Sequence, residues 1–189
     1  MAATKTHGGR ATALPVEERR SMIVAATLPL LLEFGDRVTS RQIAEAAGIA
    51  EGTIFRAFRD KDELVAAVVD AALDQQALED ALDRVDGALP FEDAISAVIV
   101  VLQQRLIDIW RLLASVGTKF HERARHPMSD SHALVRLFEA HRDRLTVDPI
   151  VAARLLRALT LSTTHPLIAA EPMSPQEIRE LFLHGVAAC

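Results

Sequence analysis

The chain has 189 residues, of which 50% are hydrophobic and 25% are charged, a composition typical of a folded globular protein and not of a disordered chain. It contains no apolar run of about 18 residues, so no membrane-spanning helix is expected, and its N-terminus lacks the apolar core of a secretion signal. The single cysteine, Cys189, cannot form an intrachain disulfide, which suits a reducing compartment. We therefore predict a cytoplasmic protein that does not bind a membrane.

The net charge of −5 is not spread evenly along the chain. Basic and acidic side chains balance over residues 1–65, and the whole negative excess lies in residues 66–189. A negatively charged surface repels phosphates, so only the N-terminal third offers nucleic acid an electrostatically favourable contact.

Helical spacing of the apolar residues runs through the chain, and no segment shows the convincing alternation of a β-strand. Residues 1–14 are expected to form a flexible arm. Pro15 opens a first helix, because proline is tolerated in the first turn, and Gly35 ends it. Pro29 lies in the interior of this helix and is interpreted as a kink in a continuous helix. We predict an all-α fold of about nine helices.

A second helix is predicted over residues 39–47, where Thr39 and Gln42 have the spacing of a capping box. Gly48 permits the left-handed backbone of a tight turn, and a short third helix follows over residues 50–58. These two helices and their turn are a candidate helix-turn-helix unit.

The fourth helix is predicted to be long. Asp60 is placed to cap it, and the pattern indicates that it continues to about Val85 with an acidic, solvated second half. Gly87 and Pro90 interrupt the pattern. The next helix is apolar round much of its circumference from Ile95 to Leu102, so that part is predicted to be buried.

The short third helix has the chemistry of a surface that reads DNA. Ile54 and Phe58 are four residues apart and anchor the helix on the core, which leaves its other residues on the exposed face and its margins. Gly52 lets the backbone approach a phosphate closely. The alternative is an ordinary helical hairpin within a bundle, which would need no glycine at this position and would be longer.

The segment RQIAEAAGIAEGTIFRAFRDKDELVAAVV resembles the DNA-binding domain of the TetR family of bacterial transcriptional repressors. That family's pattern is a Gly-Val turn, a capping residue, Gly-Thr-Leu-Tyr, an aromatic residue at the helix end and a lysine that opens helix four. The corresponding residues here are Gly48-Ile49, Ala50, Gly52-Thr53-Ile54-Phe55, Phe58 and Lys61. The match covers roughly residues 16–65. The remainder resembles the family only in length, helicity and layout.

The resemblance implies three segments: the N-terminal arm over residues 1–14, a three-helix helix-turn-helix domain over residues 15–65, and an effector-binding and dimerisation domain over residues 66–189. It also implies that Arg41 is the best candidate for a bidentate guanine contact and that Lys61 neutralises a phosphate. The residues expected at the DNA are Thr39, Ser40, Arg41, Glu51, Gly52, Thr53, Phe55, Arg56 and Lys61.

Three departures from the family pattern put the exact operator in doubt. Ala50 replaces the usual Ser/Thr-type cap, which costs about 1 kcal/mol of helix stability. Phe55 lacks the hydroxyl of the usual tyrosine, so one phosphate hydrogen bond is lost. Glu51 places a negative charge next to DNA, where it either accepts from a cytosine amino group or points away.

In the C-terminal domain the resemblance implies an effector pocket, and the buried helix around residues 95–113 is the candidate lining. The candidate lining residues are Leu106, Trp110, Leu113, Phe120 and Phe138. The alternative for each of them is that it belongs to the plain core. Arg105, Asp108, Thr118 and His121 are the nearest polar groups that could orient a ligand.

The last two helices, about residues 148–165 and 174–188, are more apolar than a small core requires, and they are predicted to form a homodimer interface. The candidate interface residues are Ile150, Val151, Leu155, Leu159, Ile178, Leu181 and Phe182. A dimer would also let two recognition helices read two half-sites.

No catalytic constellation, cofactor motif or metal site is predicted. His121 and His126 are five residues apart, whereas a zinc-binding helix needs a spacing of four. The predicted function is a ligand-responsive DNA-binding regulator, specifically a repressor that a small, mostly apolar effector releases from a palindromic double-stranded operator. The alternative is a small-molecule-binding helical protein whose DNA-binding surface has decayed.

Overall fold

The computed structural model describes residues 15–124 and 129–185, and within these ranges all regular secondary structure is helical. Nine α-helices and three short 3-10 helices are present there. The α-helices are α1 (Val16–Phe34), α2 (Ser40–Ala46), α3 (Glu51–Ala57), α4 (Lys61–Leu73), α5 (Gln75–Leu82), α6 (Phe91–Val116), α7 (His132–Ala140), α8 (Pro149–Thr164) and α9 (Pro175–His184). The predicted all-α class is confirmed. The arm predicted over residues 1–14 lies outside the described residues. No helix within the described ranges is both long and apolar enough to cross a lipid bilayer.

Local capping residues set the boundaries of the N-terminal helices. The capping box of Thr39 and Gln42 is present at the start of α2. Asp60 accepts a hydrogen bond from the Glu63 N–H at 2.8 Å and so begins α4. Helix α1 continues through Pro29. Proline has no N–H, so the carbonyl four residues earlier, that of Ala25, has no helical partner. Both residues are exposed, so water can reach that carbonyl.

The prediction of one long fourth helix is wrong, because the chain leaves the helical conformation at Asp74, where ψ is 122°. The Asp74 side chain accepts from the Gln76 N–H at 3.1 Å and thereby caps α5. A guanidinium N–H of Arg105 on α6 donates to the Asp74 carbonyl at 2.6 Å, which satisfies a group that the break exposes.

The second half of that predicted helix is also less solvated than expected, because Glu79 on α5 is only 8% exposed. Its carboxylate accepts from the Ala133 N–H at the start of α7 at 2.8 Å and from the Gln75 amide at 2.9 Å. Burial raises the pKa of the Glu79 carboxyl. Hydrogen bonds from Ala133, Ser131 and Gln75 outweigh that effect and hold the pKa below its ordinary value. Glu79 therefore joins α5 to the N-terminus of α7 as a buried carboxylate.

Two hydrophobic clusters form the core. The first, the N-terminal cluster, contains buried residues of α1–α4 together with Leu112, Leu113 and Val116 from the end of α6 and Phe120 after it. The second, the C-terminal cluster, contains buried residues of α5–α9 and the earlier turns of α6. Helix α6 has 26 residues, a length of about 39 Å, and contributes to both.

The boundary predicted at residue 65 falls inside α4. Val68 and Val69 lie beyond that boundary and are buried in the N-terminal cluster. The helix-turn-helix half thus depends on residues that follow it in the chain.

Gly35 marks a close approach between α1 and α6. Its φ is +61°, and a Cβ at this position would lie 2.9 Å from the main-chain oxygen of Ser115. Only glycine fits both the backbone conformation and the space.

Candidate nucleic-acid interface and effector cavity

The turn between α2 and α3 is built as the sequence indicates. Gly48 has a φ of +65°, and the N–H groups of Gly48 and Ile49 bond to carbonyls of the last turn of α2. Ile54 and Phe58 are 3% and 1% exposed and belong to the N-terminal cluster. Helix α3 is therefore fixed by one apolar face, and its opposite face is free.

The free face holds the residues that the sequence singled out. Phe55 is 54% exposed, which is unusual for an aromatic side chain beside a complete core. Gly52 and Arg56 are exposed on the same helix, and Thr53 is partly buried. On α2, Arg41 is exposed, Ser40 is partly buried and the cap Thr39 is exposed.

The Glu51 side chain has an intramolecular partner. The Ser40 hydroxyl donates a hydrogen bond to the Glu51 carboxylate, which ties the first turn of α2 to the first turn of α3. Ala50 provides no side-chain cap for α3, and Glu51 places a negative charge at the unpaired N–H groups of that terminus. In this structure Glu51 positions the two helices relative to each other.

Lys61 also has an intramolecular contact, since its ammonium group donates to the main-chain carbonyl of Asp36 just after α1. The side chain is exposed, and this contact brings the start of α4 to the end of α1.

Arg20 supports α3 and was missed by the sequence reasoning. Its guanidinium donates to the Ala57 carbonyl at the end of α3 and to the Glu63 carboxylate at 3.2 Å, and it lies 4.1 Å from the centre of the Phe58 ring. A positive charge near the C-terminus of a helix interacts favourably with the helix dipole, so Arg20 stabilises α3 from its buried side. No local motif marks this role, because the partners are 37 and 43 residues away.

A cavity of about 430 Å³ lies among α4, α5, α6 and α8. Its apolar lining residues are Leu73, Leu78, Leu102, Leu106, Ile109, Trp110, Leu113, Ala124 and Leu161. Its polar lining residues are Gln75, Arg105, Arg123, Ser129, Arg157 and His165. The ring centres of Trp110 and His165 are 4.1 Å apart in an edge-to-face arrangement.

Three of the five residues predicted for an effector pocket, Leu106, Trp110 and Leu113, line this cavity. Phe120 and Phe138 do not. Phe120 packs in the N-terminal cluster, and Phe138 is wholly buried in the C-terminal cluster, where its ring packs against Phe91 and Phe182. Of the four polar groups considered as ligand partners, only Arg105 lines the cavity.

The candidate dimer residues differ in how far they are available to a second copy. Ile178 is wholly buried within the chain, so its side chain cannot contact a partner. Leu159 and Phe182 pack partly against the C-terminal cluster. Ile150 and Leu181 are half-buried, whereas Val151 and Leu155 are 38% and 52% exposed, one helical turn apart.

No group of three or more His, Cys, Asp or Glu side chains is placed to hold a metal ion in the described part of the chain. His126, one of the two histidines weighed for such a site, lies outside the described residues.

Over the residues that the structure describes, the fold is all-helical, with an N-terminal helix-turn-helix DNA-binding domain. Residues 23–68 match the family model of bacterial regulatory proteins of the tetR family. Residues 23–68 therefore have the sequence pattern of that family's DNA-binding domain, and the predicted resemblance to this family of regulators is confirmed. No curated protein matches the chain in sequence.

Solved structures of the same fold cover nearly the whole chain. A protein from Mesorhizobium loti classed with the TetR-family transcriptional regulators is 18% identical over 90% of this chain and 94% of its own, with a TM-score of 0.61. A TetR/AcrR-family regulator from Thermobifida fusca is 21% identical over 90% of this chain and 100% of its own, with a TM-score of 0.58. A TetR-like regulator, LfrR from Mycobacterium smegmatis in complex with proflavine, is 18% identical over 90% of this chain and 98% of its own, with a TM-score of 0.53. At these identities the likeness concerns the fold.

Proposed function

We propose that the protein is a homodimeric, ligand-responsive transcriptional repressor that leaves a palindromic operator when a small, mostly apolar effector binds. The observation that carries the proposal is the exposed α3, whose Ile54 and Phe58 are buried while Phe55 and Arg56 face solvent. A short helix held in this way can enter the major groove of DNA.

The cavity among α4, α5, α6 and α8 is the proposed effector site. Its volume of about 430 Å³ is in the range of small-molecule sites, and its lining is mainly apolar. A regulator of the same fold is known in complex with proflavine, which supports a ligand-binding role for a protein of this fold.

Two helices connect the proposed effector site to the proposed DNA surface. Helix α4 begins at Lys61 beside that surface and ends at Leu73, which lines the cavity. On α6, Leu113 lines the cavity and is also buried in the N-terminal cluster. If α4 and α6 have two arrangements, an effector that contacts Leu73 and Leu113 better in one of them would favour that arrangement. The shift in free energy can be no larger than the difference between the effector's binding free energies for the two arrangements.

The proposed dimer places the exposed stripe of α8 against a second copy. Val151 and Leu155 lie one turn apart on α8 and are 38% and 52% exposed, and Val147, which precedes the helix, is 42% exposed. Exposed apolar side chains are therefore available to a second copy at this end of α8. A monomer in light scattering at micromolar concentration would contradict this part of the proposal.

The test of the function is selection of bacterial genomic DNA fragments on the purified protein at physiological salt, followed by sequencing. We expect the wild-type protein to enrich a palindrome and the double variant Arg41→Ala, Thr53→Ala to lose it, because a base contact is worth about 1–3 kcal/mol and a dimer makes it twice. Arg84→Ala is the control, since Arg84 is exposed in the turn after α5. If the folded dimer enriches no site, the protein is instead a small-molecule-binding protein with a decayed DNA surface.

Gly52→Ala separates stability from DNA binding. A Cβ at Gly52 meets no atom within 4 Å, so alanine in this exposed helix should raise the free energy of unfolding by about 0.5–1 kcal/mol. If the α3 backbone approaches a phosphate, the same methyl group should weaken operator binding by about tenfold, or about 1.4 kcal/mol. Denaturant unfolding and a DNA titration measure the two effects.

The control for this substitution is Gly87→Ala, which also meets open space but lies between α5 and α6. It should leave operator affinity unchanged. Unchanged affinity in Gly52→Ala would show that DNA does not approach the α3 backbone at this residue.

A further inference from the structure

The charged side chains that line the effector cavity are all positive. Its lining residues within the described ranges include three arginines, Arg105, Arg123 and Arg157, and no aspartate or glutamate. The remaining lining is mainly apolar, although the chain as a whole is acidic. Positive charge is thus concentrated in an apolar recess, where an unpaired charge is costly.

One of the three arginines is neutralised within the protein. Arg123 donates to both carboxylate oxygens of Asp70 on α4, at 2.5 and 2.6 Å. The charge of Arg123 is therefore balanced without a ligand.

Arg105 and Arg157 are half-buried and form no ion pair with any carboxylate of the described residues. Arg105 donates to the carbonyl of Asp74 at 2.6 Å, and Arg157 donates to the carbonyl of Ser129. A guanidinium has five N–H donors, so these contacts leave most of the donors of each side chain available.

The carboxylates nearest to Arg157 are already engaged elsewhere. Asp130 accepts two hydrogen bonds from Arg154, both at 2.7 Å, and Glu79 accepts from the Ala133 N–H. Burial lowers the pKa of both Arg105 and Arg157 below the ordinary value, although Asp74 acts in the opposite direction on Arg105, as Glu79 and Asp130 do on Arg157. The proximity of Arg157 lowers the pKa of Arg105 further. An anion between the two guanidinium groups would relieve this cost.

We propose that the effector is an amphipathic carboxylate, an apolar molecule with one acid group, whose carboxylate binds between Arg105 and Arg157. Its apolar body lies against Leu102, Leu106 and Trp110 on the same face of α6 as Arg105. Arginine is suited to this role because its fork of N–H groups matches a carboxylate. The inference rests on the proposed function only in naming the cavity as the effector site. It predicts that cationic ligands are excluded.

The experiment measures binding to the full chain in the absence of DNA. The probes are decanoate, decan-1-ol and decylamine, which share one chain and differ in charge, with 2-naphthoate as an acid of different shape. Trp110 is the only tryptophan and lines the cavity, so its fluorescence reports occupancy, and calorimetry gives the affinities. We expect at least one of the two acids to bind, and decanoate to exceed both decan-1-ol and decylamine at least tenfold if it binds.

The double variant Arg105→Met, Arg157→Met keeps the bulk of both side chains and removes their charge. It should weaken binding of the acids at least tenfold and leave binding of decan-1-ol unchanged. Its melting temperature should change little, because the relief of two buried charges is offset by the loss of the hydrogen bonds to the Asp74 and Ser129 carbonyls. The matched control is Arg111→Met on the exposed side of α6, which should bind as wild type does.

Three results would overturn the inference: neither acid binds, decan-1-ol or decylamine binds as tightly as decanoate, or the double variant keeps the preference for acids. These outcomes are independent of the proposed function. A protein that binds an operator but no acid would disprove the ligand class alone. A protein that binds the acids but no operator would disprove the regulatory role alone.

Discussion

Replacing Glu79 with alanine should lower the free energy of unfolding by about 3 kcal/mol. The substitution removes a charged acceptor and leaves the Ala133 N–H unpaired at the buried start of α7, and each of these losses is worth about 1–3 kcal/mol. It also removes the hydrogen bond that joins the Glu79 side chain on α5 to the start of α7. Denaturant unfolding followed by circular dichroism measures the change.

Glu79→Gln keeps an acceptor oxygen and loses only the charge, so it should cost about 1 kcal/mol. Glu33→Ala is the control, because Glu33 is exposed on α1 and should change the free energy by less than about 0.5 kcal/mol. Equal effects of Glu79→Ala and Glu33→Ala would contradict the role of the buried carboxylate.

The effect of Glu79 should also depend on pH with a definite sign. The pKa of this carboxyl is lower in the folded protein than in the unfolded chain, where it is about 4.3. Its stabilising contribution is therefore fully present above about pH 4.3 and is lost as the pH falls through the folded pKa. The difference in stability between the wild-type protein and Glu79→Gln should be constant down to that pH and shrink below it.

Replacing Gly35 with alanine should lower the free energy of unfolding by about 3 kcal/mol or more. The backbone at φ +61° and ψ −138° is strained for any residue with a side chain, which costs about 1–3 kcal/mol. The added methyl group would in addition lie 2.9 Å from the Ser115 oxygen, a main-chain atom of α6 that can move only with its helix.

Gly117→Ala is the matched control for this prediction. Gly117 also has a positive φ, of +84°, but a Cβ there meets no atom within 4 Å. It therefore reports the backbone cost without the clash. If both substitutions cost the same, the contact of Gly35 with α6 is not tight in solution.

Features encoded within a few residues could be predicted from the sequence. The capping box of Thr39 and Gln42, the Asp60 cap and the apolar pair Ile54 and Phe58 each depend on neighbours no more than four positions away. The family model matches the same segment. The helix-turn-helix unit is therefore predictable from the sequence alone.

Features decided by distant contacts could not be predicted. Aspartate at position 74 suits either a helix surface or a helix cap, and the choice is made with Arg105, 31 residues away. The sequence predicts that Phe120 and Phe138 line the pocket, but packing between helices places both in the core. The position of Arg157 in the cavity lining cannot be predicted from the sequence, because nothing local shows which side of α8 faces α6.

The end of α6 is part of the N-terminal cluster, and this limits how the DNA-binding half of the protein can be exchanged between regulators. Helices α1–α4 bury their apolar faces partly against Leu112, Val116 and Phe120, which lie in the second half of the chain. A chimera that joins residues 15–65 to the effector half of another regulator would lose these partners along with Val68 and Val69. The transferable unit is therefore discontinuous, and it must include the last turns of α6. New effector specificities can be acquired most easily at lining residues that lie outside the N-terminal cluster, such as Leu102 and Leu106.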